Sequence, residues 1–442
     1  MGKIYAPSSS TASNTVTFLK AGTSGCSVYL GEVKVFPSDE DIVNMKDKCL
    51  TLVAWDNTTF TFTPTSGQVL SYSVDGGAYT ALPSTGGSVS VSGGQQVSWS
   101  GTAVPVASAS TTTSEVQWGI GKFSSTGKYH VEGNAMSLLF GSSYKTTTSL
   151  SGKNYALVGL FSASTTLMTS EYMVLPPTTL VGACYRSLFN GCTNMTKCPE
   201  LPATTLGATC YLNMFLNCSK LLTAPKLPAD TIPGYAYYSM FRNCSSLTKA
   251  PELPATTIVV GNDTNQYSRM FAGCTSLTEA PELPALTIPS SGYSYMFSGC
   301  TKLVIGPNLP ATNFIGNGQH YAYMFAKDSK LETVALALPA ETLKTSGYTG
   351  MFSGCTKLNR IKCLATDISA SNCTTGWVSG VAATGTFIKD ASMTGWTSGA
   401  NGIPTGWTVK NDYGNKKYPL TFIARRIVRL HLVEVVPIRL VH

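Results

Sequence analysis

The stretch YSYMFSGCTKL, residues 293–303, decides how this 442-residue chain is read. Its Tyr, Met, Phe and Cys are equally the makings of a ligand site and of a packing unit, and recurrence separates the two. A Met-Phe pair, Leu-Phe in the first copy, recurs with its Phe at Phe189, Phe215, Phe241, Phe271, Phe297, Phe325 and Phe352, in steps of 26, 26, 30, 26, 28 and 27 residues. Four residues before each Phe stands a Tyr: Tyr185, Tyr211, Tyr237, Tyr267, Tyr293, Tyr321 and Tyr348. Three after it stand Cys192, Cys218, Cys244, Cys274, Cys300 and Cys355, with Asp328 in the sixth copy. Six after it comes Leu, or Met195 in the first copy, and most copies run on into a segment of the APELPA type. A worn copy with Phe161, Leu167 and LPPTTL (175–180) precedes the set, and Leu139-Phe140 opens a further candidate. A fixed period of this length is the mark of stacked rungs, none of which buries a core alone.

The spacing predicts the local structure. Tyr at i, Met at i+3 and Phe at i+4 share one face of a helical turn, so YxxMF reads as a short helix with an inward apolar stripe. Two residues after Phe stand Gly191, Asn217, Asn243, Gly273, Gly299, Lys327 and Gly354. Gly and Asn suit a left-handed C-terminal cap, which stops the helix there. The following TxLTxAPELP alternates apolar and polar residues and ends in Pro, which predicts a short edge strand and turn. The expectation is a solenoid of about eight helix-and-strand rungs over residues 135–365, each large inward side chain contributing roughly 1.5–3 kcal/mol on burial.

Ahead of the repeats, TLVAWDNTTFTFTP, LSYSVDGGAYTAL and SVSVSGGQQVSWSG alternate apolar and polar residues between Gly-Gly and Asp-Gly turns. This is the pattern of a small antiparallel, immunoglobulin-like sandwich. The fold class is therefore α+β with repeats: an N-terminal antiparallel β-sandwich module, then a solenoid of short helix and short strand rungs. The expected divisions are an N-terminal β-hairpin or attachment segment (1–48), the sandwich (49–130), the solenoid (131–365), a C-terminal capping segment (366–415) and a basic atypical tail (416–442).

The net charge of +8 gives no nucleic-acid signal once it is located, since residues 416–442 supply +5 and the other 415 residues only +3. No basic face follows. The tail RRIVRLHLVEVVPIRLVH abandons the Thr- and Gly-rich style of the body and reads as a truncated or frameshifted end. No apolar run approaches the roughly 20 residues of a membrane span, and the first 20 residues lack an apolar signal-peptide core. Assembly inside a cell, a missing N-terminus or another export route remain the options.

Thirteen cysteines without a C-x-x-C, and only four histidines (His130, His320, His431 and His442), argue against zinc. The Cys column reads as small apolar fillers beside the cap, with bridging between rungs or metal binding as the alternative. The Tyr column reads as core by its phase with Met and Phe, with an aromatic platform as the alternative. Trp377, Trp396 and Trp407 each follow Thr-Gly, and cap the last rung or stack on glycans. No G-x-S-x-G, H-E-x-x-H, P-loop or dinucleotide fingerprint is present, so no catalytic residue, metal or cofactor is expected. Binding residues are sought where rungs differ. Positions eight and eleven after Phe read Lys197/Glu200, Thr223/Lys226, Lys249/Glu252, Glu279/Glu282 and Ile305/Asn308, and these are expected to project to solvent.

MFAGCTSLTEAPELPALTI (270–288) and MFRNCSSLTKAPELPATTI (240–258) resemble the leucine-rich-repeat-like surface proteins of the BspA type, from gut Bacteroidetes and related bacteria and their phages. YHVEGNAMSLLFG (129–141) and residues 375–409 flank the repeats in the same style, so the likeness covers residues 50–410. CSVYLGEVKVFPSDEDI (26–42) is similar to hairpin units near the N-termini of phage tail-associated proteins. The resemblance implies a leucine-rich-repeat-like fold and a role in adhesion or protein binding. The expected function is a non-enzymatic virion component, a tail fibre or decoration protein that recognises a surface protein or glycan of a bacterial host or of mucosa, with other virion proteins as further partners. The alternatives are a bacterial cell-surface adhesin and a glycan-processing enzyme carried on a repeat scaffold. No nucleic acid and no membrane span enter any of these readings.

Overall fold

The computed structural model describes residues 4–6, 28–30, 33–36, 44–65, 68–106, 118–259 and 264–414. The basic tail 416–442 and most of segment 1–48 lie outside the described residues. Within that segment, β1 (Ile4–Ala6), β2 (Val28–Leu30) and β3 (Val33–Phe36) form one sheet, in which β2 and β3 pair antiparallel.

Residues 50–134 and 167–174 build two sheets; Thr58–Pro64 and Gln96–Gly101 alternate as period-2 patterning requires when one face is buried, while Leu50–Ala54 and Tyr129–Asn134 are buried throughout. The first contains β4 (Leu50–Ala54), β6 (Leu70–Val74), β7 (Thr80–Ala81), β9 (Gln96–Gly101), β11 (Tyr129–Asn134) and β12 (Leu167–Val174), in the order β12-β11-β4-β9-β6-β7. The second contains β5 (Thr58–Pro64), β8 (Gly87–Val91) and β10 (Gly121–Ser125), in the order β10-β5-β8. Phe60, Phe62, Trp99, Phe123 and Tyr129 are buried in the shared core. All pairings here are antiparallel except β11 with β12, which is parallel and leads from the sandwich into the repeats.

The repeats form a β-solenoid, with about seven turns over residues 231–412. Its strands are two-residue parallel pairs, β13 (Thr231–Ile232) with β14 (Thr257–Ile258) and β15 (Thr287–Ile288) with β17 (Asn313–Phe314). A longer parallel sheet runs β16 (Ile305–Gly306), β18 (Thr333–Val334), β19 (Arg360–Cys363), β20 (Thr386–Asp390) and β21 (Thr408–Asp412). Cross-rung backbone bonds extend the stack back to Tyr155, whose amide donates to Gly182.

The rungs contain no helix at YxxMF, which corrects the helix-and-strand expectation. Among the described residues, helix is confined to short turns at Met45–Asp47, Ser137–Phe140 and Gly141–Thr146. In the rung of YSYMFSGCTKL, Ser294, Met296, Ser298 and Cys300 donate their amides three residues back, at 3.0–3.2 Å. The alternate amides of Tyr293, Tyr295, Phe297 and Gly299 donate at 2.8–3.1 Å to His320, Ala322, Met324 and Ala326 of the next rung. The chain is thus a train of overlapping tight turns, half of its amides closing turns and half tying rungs together. Ser291, Tyr295 and Gly299 have φ of 58°, 56° and 80°. A left-handed residue at every fourth position forbids an α-helix. The predicted left-handed position two after Phe is present in all seven copies, from φ 62° at Asn217 and Asn243 to 80° at Gly299, and Lys327 takes it at 69°.

Tyr, Met and Phe still point inward, because a train of tight turns also returns every fourth residue to the same side. The Phe rings from Phe123 through Phe161 to Phe352 stack at centroid spacings of 5.4–5.7 Å. The column begins on sandwich strand β10, so the sandwich core and the solenoid core are continuous.

Candidate functional site

The columns that repeat are interior. Tyr185 through Tyr348 are each no more than 1% exposed and follow one another at 5.4–6.0 Å, stacked or tilted, while Met and Phe are fully buried. Burial raises the pKa of every hydroxyl in that column. Tyr185 Oη and Tyr348 Oη, at the two ends of the column, have no hydrogen-bond partner among the described residues.

All described cysteines are free, and the repeat thiols do more than fill space. Cys192, Cys218, Cys244, Cys274 and Cys300 each donate to the Phe carbonyl of the preceding rung at 3.1–3.2 Å, and Cys355 does so to Phe325 at 2.9 Å. Burial pushes the Cys192 and Cys274 thiols up to about 12, which keeps them protonated donors rather than reactive thiolates. Asp328 takes the thiol's place fully buried, and neither carboxylate oxygen has a hydrogen-bond partner among the described residues. Burial drives its pKa well above the usual carboxylate range; the nearby amides of Cys300 and Gly299 oppose this weakly, since both already donate to Phe297 and Ala326. Among the described residues, no group of three His, Cys, Asp or Glu is placed to hold a metal ion.

Trp377 ends both aromatic columns, 6.1 Å from Tyr348 and 6.2 Å from Phe352, and stacks on Trp396 at 5.4 Å. Its Nε1 donates to Gly402 and that of Trp407 to Ala382, at 2.8 and 2.7 Å. Trp377 and Trp407 are buried and Trp396 is half-buried, so the three indoles lie within the end of the stack.

The variable positions occupy one outer face. Lys197, Glu200, Lys226, Lys249, Glu252, Glu279 and Glu282 are exposed and Asn308 is half-buried. The register brings position eight of successive rungs side by side: Lys249 bridges Glu279, and Ile305 pairs with Thr333, then Arg360, Thr386 and Thr408. Lys249 Nζ lies 2.9 Å from Glu279, and Lys197 Nζ lies 2.6 Å from Glu171, one rung earlier. The hydrogen bond to Glu279 and its charge hold the Lys249 ammonium above its ordinary pKa. Two APELPA segments, 250–255 and 280–285, frame a groove of about 410 Å³ with Lys249, Glu252, Glu279 and Glu282 at its edges. Glu200 lines a second cavity of about 190 Å³ with Met45, Glu171 and Met173, where the repeats meet the sandwich.

Two clusters escape sequence reasoning. On the turn side, Arg269 covers Tyr295 at 4.8 Å, Tyr295 stacks on Tyr323 at 4.7 Å, and a Cβ on Gly350 would meet the Tyr323 ring at 2.3 Å. Every ring face in this ladder is already in contact, which makes it packing rather than an open platform. In the sandwich, Glu132 bonds Lys48 and lies 3.5 Å from His130, whose Nδ1 accepts from Trp55 Nε1 at 2.8 Å, while Lys48 also donates to Gln96 at 2.8 Å. His130 and Glu132 are buried, so this network is closed to a substrate. No described helix is long and apolar enough to cross a membrane. Compared with known protein families, with curated proteins and with solved structures, the chain matches none.

Proposed function

We propose that this chain is a non-enzymatic recognition protein of the leucine-rich-repeat-like, BspA-type kind, carried on a phage virion as a fibre or decoration component and binding host-surface or mucosal polymers. The observation that carries the reading is the division of labour within each rung. What repeats is buried, and what varies, Lys197 through Asn308, lies along one accessible face. Repeat stacks use extended faces of this kind to hold partners longer than a single pocket. The N-terminal hairpin, similar to phage tail-associated units, supports the virion setting. The nearest acid–base assembly, His130 with Glu132, is buried and tied to Lys48 and Trp55, which favours binding without turnover.

The test presents the full chain to an array of mucin glycans and bacterial surface polymers, with released sugars measured by chromatography. Retention without product is the expected result, and sugar release overturns the reading. Mass spectrometry of purified particles checks the setting: recovery from a bacterial envelope instead of virions would move the protein to the adhesins.

A further inference from the structure

We infer that the groove between the two APELPA segments is a docking site for an extended basic protein segment, whose Lys or Arg side chains lie across the rungs. The inference rests on the recognition reading and names the partner's chemistry at one part of the same face.

Three observations carry it. First, the groove is framed by two identical segments on adjacent rungs, 250–255 and 280–285, and encloses about 410 Å³. Second, its walls are largely apolar. Four prolines line it, with Leu253, and a proline has no amide hydrogen to offer. The Ala250 amide is already committed to the Glu279 carbonyl. Third, one lysine and three glutamates leave a formal charge of −2 at the groove. Lys249 is engaged with Glu279, while Glu252 and Glu282 are exposed, one rung apart, with no ion pair among the described residues.

A ligand that fits must bring donors and positive charge at its head and an alkyl surface behind. Lysine and arginine side chains combine these, laying their methylene stems on apolar surface while the charged head reaches a carboxylate. Neutral glycans meet the acceptors but leave the charge unmatched. Other rungs lack the arrangement in sequence: position eleven is Lys226 in the rung after Glu200, and neutral Asn308 in the rung after Glu282.

The experiment measures binding of fluorescein-labelled hepta-lysine to the full chain by anisotropy, at low and at physiological salt. The charge-removing, isosteric double variant Glu252→Gln/Glu282→Gln is compared with Glu341→Gln, a carboxylate elsewhere on the solenoid. The expected result is salt-sensitive binding that weakens about tenfold in the double variant and is unchanged in Glu341→Gln. Equal binding by the double variant, no binding by the parent chain, or loss of a neutral glycan with the same double variant each overturns the inference. In any of these cases, retention of the chain on the polymer array leaves the recognition reading standing.

Discussion

The sandwich and the solenoid pair their buried polar groups in opposite ways, and among the described residues each leaves a few unpaired, Trp99 Nε1 in the one and Asp328 in the other. In the sandwich, partners come from distant points of the sequence and each is particular. Glu132 meets Lys48 and His130, Trp55 meets His130, and Tyr129 meets Ser164. In the solenoid, one solution is copied: the same amide ladder, the same thiol-to-carbonyl bond and the same ring stack recur rung after rung. A tailored network fails as a unit when one member is lost. A copied one tolerates a faulty copy, as Asp328 shows, because each rung leans only on its neighbours.

Truncating the ring stack tests this difference most severely. Phe297→Ala removes a fully buried ring between Phe271 and Phe325 and is expected to cost about 3–5 kcal/mol. Because contacts pass only from rung to rung, denaturant unfolding followed by several probes is expected to split into two transitions. Phe60→Ala, a similar truncation in the sandwich, is expected to shift one transition without dividing it. Splitting by both variants, or by neither, would erase the contrast.

Glu132→Ala comes next. It leaves Lys48 and His130 without their buried partner, at a cost of about 3–5 kcal/mol. Burial acts to raise the Glu132 pKa, but the hydrogen bond from His130 and the charge of Lys48 outweigh it, and the pKa lies below 4.5. A depressed carboxylate pKa stabilises the fold above the unfolded value and loses that contribution as pH falls through the folded one. Stability measured from pH 7 to 3 is expected to show an acid limb that Glu132→Gln flattens.

Asp328→Cys restores the thiol and is expected to stabilise the protein at neutral pH by about 1–3 kcal/mol, by removing an unpaired buried carboxyl. Here the sign reverses. A carboxyl whose pKa is raised by burial favours the fold most below its unfolded pKa near 3.8, and that contribution is lost as pH rises toward the folded value. The gain in melting temperature over the parent is therefore expected at pH 7 and to shrink toward pH 4. An equal gain at both values would contradict the assignment. The smallest effect belongs to Tyr348→Phe, which deletes a buried hydroxyl without a partner and is expected to be neutral or to stabilise by about 1 kcal/mol.

Much of this was legible in one chain. The period, the inward Tyr, Met, Phe, Cys and Leu, the left-handed position after each Phe and the outward variable pair all follow from spacing. The other two left-handed positions of each rung were not legible. Position two before Phe is held by Ser187, Asn213, Ser239, Arg269, Tyr295, Tyr323 and Gly350, which share no side-chain chemistry. Glycine and asparagine announce a left-handed backbone; tyrosine and arginine do not. Phe123 as the foot of the ring stack was hidden too, because in β10 it reads as one more inward residue of an alternating strand. The groove was missed because its charged residues are ordinary surface residues until two rungs set them side by side.

The sequence by itself determined which side chains face in, since spacings of three and four residues place them on one side of a helix and of a train of tight turns alike. It could not choose between those two backbones. In a helix every amide bonds within its own segment, whereas here Tyr293, Tyr295, Phe297 and Gly299 bond to the next rung, some 27 residues further on. That choice depends on partners that exist only once the rungs are stacked, and so the tertiary structure made it.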